Sequence, residues 1–240
     1  MIDTKKRGLA KAISWRVVAS MVLGTLTWLL TGSLQTVGAM LVLFNIIQVC
    51  TYFFHERIWG KISWGKTKGL FIQMSGWSGA GKTTISQAVA KKLRKNGYKV
   101  ELIDGDEYRT HISKGLGFSK EGRLENIRRL GFIGRVLARN NVIAIMAAIN
   151  PYDEARMELE AAGAKTVFVR CSLETLKERD PKGLYRRALL PPDHPDRIDN
   201  FTGISDPFED PAGPALVLQT DKETLTESVD KMYKFIVDNV

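Results

Sequence analysis

"GWSGAGKTTIS", residues 76–86, follows "GLFIQM" at 69–74, a short apolar run that reads as a buried strand. A strand that feeds a glycine-rich turn and then a helix is a phosphate cradle. Gly76, Gly81, Lys82 and Thr83 fit G-x-x-x-x-G-K-[ST], with the strand before and the helix after that give the match its meaning. In such a loop successive backbone N–H groups turn inward on phosphate oxygens, and the helix N-terminus adds partial positive charge. Lys82 reaches the β- and γ-phosphates, and the Thr83 hydroxyl can ligate Mg²⁺.

Working outward, residues 67–240 alternate short apolar runs with helical patterns. "KVELIDG" follows a helix over 82–95, "NVIAIMAAI" follows one over 124–139, and "KTVFVRC" follows one over 153–162. "ALVLQT" and a last helix over 223–240 complete the series. Runs that are apolar at consecutive positions suit strands covered on both faces. The expected fold class is therefore α/β, a P-loop-type parallel sheet flanked by helices.

The first 66 residues are of another kind. No Asp, Glu, Lys or Arg stands between Arg16 and Glu56, and two apolar stretches lie at about 13–31 and 36–54. Each is near the ~20 residues that cross a hydrocarbon core as a helix. The intervening "TGSLQT" is too short for anything but a tight turn, so the pair predicts a transmembrane hairpin. Asn45 and Gln48 lie three apart on the second helix and are expected to face protein, bonding between helices.

Charge distribution refines this. The net charge is +9, but residues 1–68 hold nine Lys/Arg against Asp3 and Glu56, leaving 26 Lys/Arg against 24 Asp/Glu beyond them. Basic residues flank the apolar segment, which argues for membrane edges and against a nucleic-acid face. The turn carries none, so the positive-inside bias places both termini and the second domain in the cytoplasm, on an inner, multi-pass membrane protein. The expected domains are 1–66 for the membrane and 67–240 for the P-loop unit. Two cysteines, Cys50 and Cys171, and three unclustered histidines indicate neither a disulfide nor a metal site.

The phosphate acceptor is read from other motifs. "DGDEYR", 104–109, stands where the second strand ends, the edge of an open parallel sheet that faces ligands. There Asp104 could orient or deprotonate a hydroxyl, Asp106 could cap the next helix and Arg109 could bind an anion. "GLGFSKEGRLENIRRLG" at 115–131 puts Phe118, Arg123 and Asn126 near a helix start. "INPY", "RDPKGLYRRA" and "NFTGISDPFEDP" close the series.

Together these motifs resemble the adenylyl-sulfate kinase family over about 70–220. "KRGLAKAISWR" and "HERIWGKISWG" resemble the ends of the two-helix DUF2061 membrane family over about 5–65. The kinase resemblance implies transfer of the γ-phosphoryl of ATP, with Mg²⁺, to the 3′-hydroxyl of adenosine 5′-phosphosulfate. It assigns ATP to Gly76, Ser78, Gly79, Ala80, Gly81, Lys82, Thr83 and Thr84, with Lys82 and Asp104 catalytic and Thr83 on the metal. The acceptor falls to Asp104, Asp106, Arg109, Phe118, Arg123, Asn126, Ile149, Lys182, Phe201 and Thr202. Arg109, Arg123 and Asn126 would grip the phosphosulfate, and Phe118 and Phe201 would sandwich the adenine.

Two departures stand out. Asn150 replaces a serine that the family pattern "ISPY" carries and that has been proposed to be phosphorylated in turnover, so only direct transfer remains. "LLPPDHPDR" lengthens the segment between Lys182 and Phe201. Alternatives are a kinase of the same build acting on another nucleotide-linked acceptor, and a membrane scaffold that binds ATP without turnover. The expected partners are the nucleotide and the lipid bilayer, with a homo-oligomer left open.

Overall fold

The computed structural model describes residues 5–61 and 68–240. The chain divides into two compact units, Met1–Lys66 and Thr67–Val240.

In the first unit, α1 (Lys5–Thr31) and α2 (Leu34–Lys61) are joined by Gly32 and Ser33 alone. The second helix starts two residues before the apolar stretch because Ser33 caps it, its hydroxyl accepting from Thr36 N at 3.3 Å. Gly24 brings the helices together, with the positions a Cβ would fill lying 3.7 Å from the Leu41 side chain and 3.8 Å from Val37. Leu30, Leu34 and Trp15 are among many large apolar side chains left exposed. Ile13–Thr31 and Leu34–His55 are long and apolar enough to cross a membrane, with mean hydropathies of 1.5 and 1.9. Asn45 and Gln48 are both half-buried, and Asn45 Nδ2 donates to Leu41 O of its own helix at 2.8 Å. A backbone carbonyl one turn back is always within reach of an amide in a helix, so the bond across helices is not needed.

The second unit is a five-stranded parallel sheet of order β2-β3-β1-β4-β5. Its strands are β1 (Leu70–Ser75), β2 (Val100–Asp104), β3 (Ile143–Ala147), β4 (Lys165–Arg170) and β5 (Leu216–Gln219). β1, central and paired in register Ile72↔Ile145 with β3 and Met74↔Val167 with β4, is buried at all six positions. That is why it reads as a continuous apolar run rather than an alternating one.

Strand alternation distributes the core. Leu70, Ile72 and Met74 pack with α3 (Lys82–Lys95) and α9 (Leu225–Val237), whereas Phe71 packs with α5 (Lys120–Arg139) and α6 (Asp153–Ala161). Gly134 permits the second contact, because a Cβ there would stand 2.3 Å from the Phe71 ring. Helices α7 (Leu173–Arg179), α4 (Gly105–His111) and α8 (Leu184–Ala188) complete the unit.

Two boundaries differ from the sequence reading. α5 begins at Lys120, four residues early, because the Ser119 hydroxyl accepts from Gly122 N. The last helix begins at Leu225 behind a capping box of Thr224 and Glu227.

Candidate active site

Every strand ends at the same edge, and the loops there enclose a cavity of about 620 Å³. The loop after β1 enters it with its carbonyls already engaged. Lys82 Nζ donates to Gly76 O at 2.8 Å and Trp77 O at 2.7 Å, Tyr185 OH to Ser78 O at 2.8 Å, and Thr220 Oγ1 to Ala80 O at 3.0 Å. Gly79 and Gly81 take left-handed φ of 76° and 95°, values that side-chain-bearing residues rarely adopt.

With its carbonyls occupied, the loop leaves amides over. Among the described residues, those of Ser78, Gly79, Gly81, Lys82, Thr83 and Thr84 donate to no carbonyl. Six free N–H groups at a helix N-terminus suit a polyphosphate. Gly76 and Ala80 do not join them: their amides go to Ile149 O at 3.1 Å and Trp77 O at 3.2 Å, and neither lines the cavity. They shape the loop rather than touch a ligand.

Lys82 is buried, and desolvation is the main reason its pKa falls to about 8; Asp106 pulls it up, Lys182 pushes it down and Asp104 pulls it up. Two of its three protons are used on the loop, so one remains for a phosphate.

Asp104 ends β2 and caps α4. Its Oδ1 accepts from Asp106 N at 2.9 Å and its Oδ2 from the Thr83 hydroxyl at 2.9 Å. Asp106 is therefore not the cap. A cap must precede the first helical turn, which Asp106 already occupies, and its carboxylate instead meets Lys182 Nζ at 2.5 Å. A hydroxyl and a carboxylate side by side beside a triphosphate cradle are hard oxygen ligands that fit Mg²⁺, which commonly takes its remaining ligands from phosphates and water.

The acceptor motifs converge opposite. Arg109 and Arg123 lie over the Phe118 ring, 4.5 and 5.6 Å from its centroid. Burial lowers the Arg109 pKa first, and the neighbouring Arg123 guanidinium adds to it. Two like charges held this close favour an anion between them. Asn126 Oδ1 and Thr202 Oγ1 are buried there without a partner, although both residues line the cavity. Unsatisfied buried polar atoms are costly, and a ligand would relieve them.

All sixteen other expected residues line this cavity, Ile149, Lys182 and Phe201 included. The two phenylalanines are unlike each other, since Phe118 is 60% exposed and Phe201 only 7%, packed edge-on against Tyr185 at 5.0 Å.

Behind the cavity runs a buried polar network. Gln73 Nε2 donates to Arg156 O and Thr166 Oγ1, both at 2.9 Å, so its Oε1 is left to accept from Asn150 Nδ2 at 3.0 Å. Asn150 sits at φ 46°, a left-handed conformation that Asn tolerates well. Its side chain braces the sheet.

Three contributors escaped the sequence reading. Asp206 accepts from Tyr152 OH at 2.9 Å and lies 3.8 Å from Arg123, Tyr185 anchors the loop, and Asp180 Oδ1 accepts from Tyr185 N at 3.1 Å. The only signal for them was their place inside the quoted motifs.

A cradle for a triphosphate and an anion-binding, aromatic-lined subsite in one cavity define a P-loop phosphotransferase. Residues 68–219 match the family model described as adenylylsulphate kinase, and 9–60 match one described as "Predicted membrane protein (DUF2061)". The chain belongs to the adenylylsulphate kinase family. The adenylyl-sulfate kinase of Rippkaea orientalis is 47% identical over 171 residues, 70% of this chain and 92% of that one. The Mycobacterium tuberculosis APS kinase, solved in complex with AMPPNP and APS, is 30% identical with a TM-score of 0.64, over 72% of this chain and 98% of that one. A hexameric APS kinase from Thiobacillus denitrificans is 29% identical with a TM-score of 0.52, covering 72% of this chain and 29% of that one.

Two predictions follow from this geometry. Free protein loses the Lys82 proton as pH rises through about 8, whereas a bound triphosphate holds it, so nucleotide binding takes up protons above that pH. Calorimetry at pH 8.5 in two buffers of unlike ionisation enthalpy will show the uptake, absent in Lys82→Ala; equal heats in both buffers would contradict the assignment.

Phe118→Ala will weaken acceptor binding by roughly ten- to a hundredfold through lost stacking, leaving ATP affinity and melting temperature in place. Phe201→Ala will lower the melting temperature as well, since truncating a buried Phe costs about 3–5 kcal/mol. Binding and melting measured on both variants check this, and two identical phenotypes would refute it.

Proposed function

We propose that this protein transfers the γ-phosphoryl of ATP to the 3′-hydroxyl of adenosine 5′-phosphosulfate, giving 3′-phosphoadenosine 5′-phosphosulfate and ADP. The observation that carries the reading is one cavity holding six free cradle amides and, facing them, the Arg109–Phe118–Arg123 cluster. Ser78–Thr84 and Lys82 hold the triphosphate. Thr83 and Asp104 would hold Mg²⁺, which supplies charge neutralisation along the phosphates when bound.

Arg109, Arg123 and Asn126 take the phosphosulfate, with Thr202, Ile149, Asp106 and Lys182 around it. Phe118 offers an exposed ring to one face of the adenine and Phe201 a packed edge near the other. Asp104 orients the accepting hydroxyl with a lone pair that its bonds to Thr83 and α4 leave over. Lys82 neutralises charge on the transferring group, and the hydroxyl oxygen attacks phosphorus directly as the β–γ bridging oxygen departs with ADP and the hydroxyl proton passes to the Asp104 carboxylate. Asn150, without a hydroxyl and turned to Gln73, carries no phosphate.

Residues 1–66 serve as a membrane domain whose two spans place residues 67–240 and both termini in the cytoplasm, and self-association is a further part of the reading. The flanking positive charge and the two apolar helices support the tether.

A coupled ADP-release assay tests the reaction. Adenosine 5′-phosphosulfate should drive release where adenosine and guanosine monophosphates do not, and Lys82→Ala should cost at least about 10²–10³-fold. Residues 67–240 alone should retain the activity, since every named site residue lies there. Near-normal turnover by Lys82→Ala, or a preference for another acceptor, would overturn the assignment.

A further inference from the structure

The kinase unit is nearly neutral, with 27 Lys/Arg against 24 Asp/Glu from Thr67 onward, yet its charge is unevenly placed. All five strands begin at one edge, opposite the cavity. Chain connectivity fixes what gathers there: Lys68 precedes β1, Lys99 precedes β2 and Lys165 opens β4, while α3 and α5 return to it and end at Lys95 and Arg139. Two contacts close the edge: Ile143 N donates to Lys99 O at 2.8 Å, and Gly69 abuts the Ala138 backbone. None of these five cations forms an ion pair among the described residues, and all but the half-buried Lys165 are exposed.

Arg94 adds charge within the last turn of α3, and Arg135 lies one turn before the end of α5. Among the described residues, Glu101 in β2, Glu160 near the end of α6 and Asp238 after α9 bring carboxylates to the same end, and Glu160 is engaged by the Thr166 hydroxyl. Basic residues at helix C-termini compensate the helix dipole, which accounts for Lys95 and Arg139. It does not account for Lys68, Lys99 and Lys165, which lie on strand approaches.

We propose that this edge is a docking face for an anionic lipid surface, and that it turns the nucleotide cavity away from the bilayer. The inference rests on the membrane reading of residues 1–66. Seven residues run from the end of α2 at Lys61 to Lys68, and a peptide of that length reaches at most ~25 Å. Lys68, on this edge, therefore stays within that reach of Lys61. Each Lys or Arg near an anionic surface strengthens association by about fivefold, and salt screens the attraction within a Debye length of ~10 Å. Docking in this sense also spares anionic nucleotides the repulsion of the headgroups at the mouth of the cavity.

The test is hydrogen–deuterium exchange on the full chain in nanodiscs, comparing phosphatidylcholine alone with phosphatidylcholine plus phosphatidylglycerol. Segments 94–99, 138–143 and 163–166 should exchange more slowly in the anionic discs only, and lose that protection in high salt. A triple variant, Lys95→Glu, Lys99→Glu and Arg139→Glu, should lose it at low salt while keeping kinase turnover, which shows that it folds. Equal exchange in the two lipids, or protection that survives the triple variant, overturns the proposal. A chain that fails to stay with the discs refutes the membrane reading, and the docking face with it.

Discussion

The site depends on backbone carbonyls being pinned outward. Lys82, Tyr185 and Thr220 hold the carbonyls of Gly76, Trp77, Ser78 and Ala80, and the amides of the same loop are thereby left without partners. A free loop would satisfy those amides internally or with water, and the cradle would vanish. The pins come from distant parts of the chain, with Tyr185 on α8 and Thr220 beyond β5, so the donor site forms only when the sheet is complete. A buried ammonium is costly, and its lowered pKa records that cost.

The acceptor side is held by the same logic one layer further back. Arg156, fully buried, donates to Asn150 O at 2.6 Å and also meets Asp153 and the Glu209 carbonyl. Glu209 in turn bonds Pro151 O through its amide at 2.9 Å. The loop that supplies Phe201 and Thr202 is thus tied to the end of β3, and Asp206 extends the tie to Tyr152 and Arg123. Trp77 closes the circuit between donor and acceptor: its ring lies against Gly203, where a Cβ would approach within 2.8 Å, and 5.9 Å from the Phe208 ring. Loss of either loop's packing would therefore be felt by the other.

Much of this was legible because its signals are local. A glycine-rich turn between an apolar run and a helix identifies a phosphate cradle without tertiary information, and continuous apolar runs identify buried parallel strands. α3 matches the expected range to the residue, since the glycine that ends the loop and the apolar period of the helix agree. What stayed hidden was set by contact. α4 and α8, seven and five residues long, are too short to show a period. Asp104 rather than Asp106 caps α4 because chain direction at the strand end decides which carboxylate meets the free amides. The unequal burial of Phe118 and Phe201 depends on Tyr185, sixteen positions before Phe201 in sequence and in contact only after folding. Gly76 and Ala80 belong to the motif yet not to the cavity, a distinction that hydrogen bonding alone makes.

The central claim is that the cavity directs phosphoryl transfer from ATP to the 3′-hydroxyl of adenosine 5′-phosphosulfate. The most direct measurement is ³¹P NMR of the product formed by purified protein from the two substrates and Mg²⁺. The account predicts a new phosphomonoester resonance coupled to the ribose 3′ proton, growing in step with ADP while the phosphosulfate resonance persists. A phosphate on any other position, or ADP and inorganic phosphate without a phosphorylated acceptor, would contradict it.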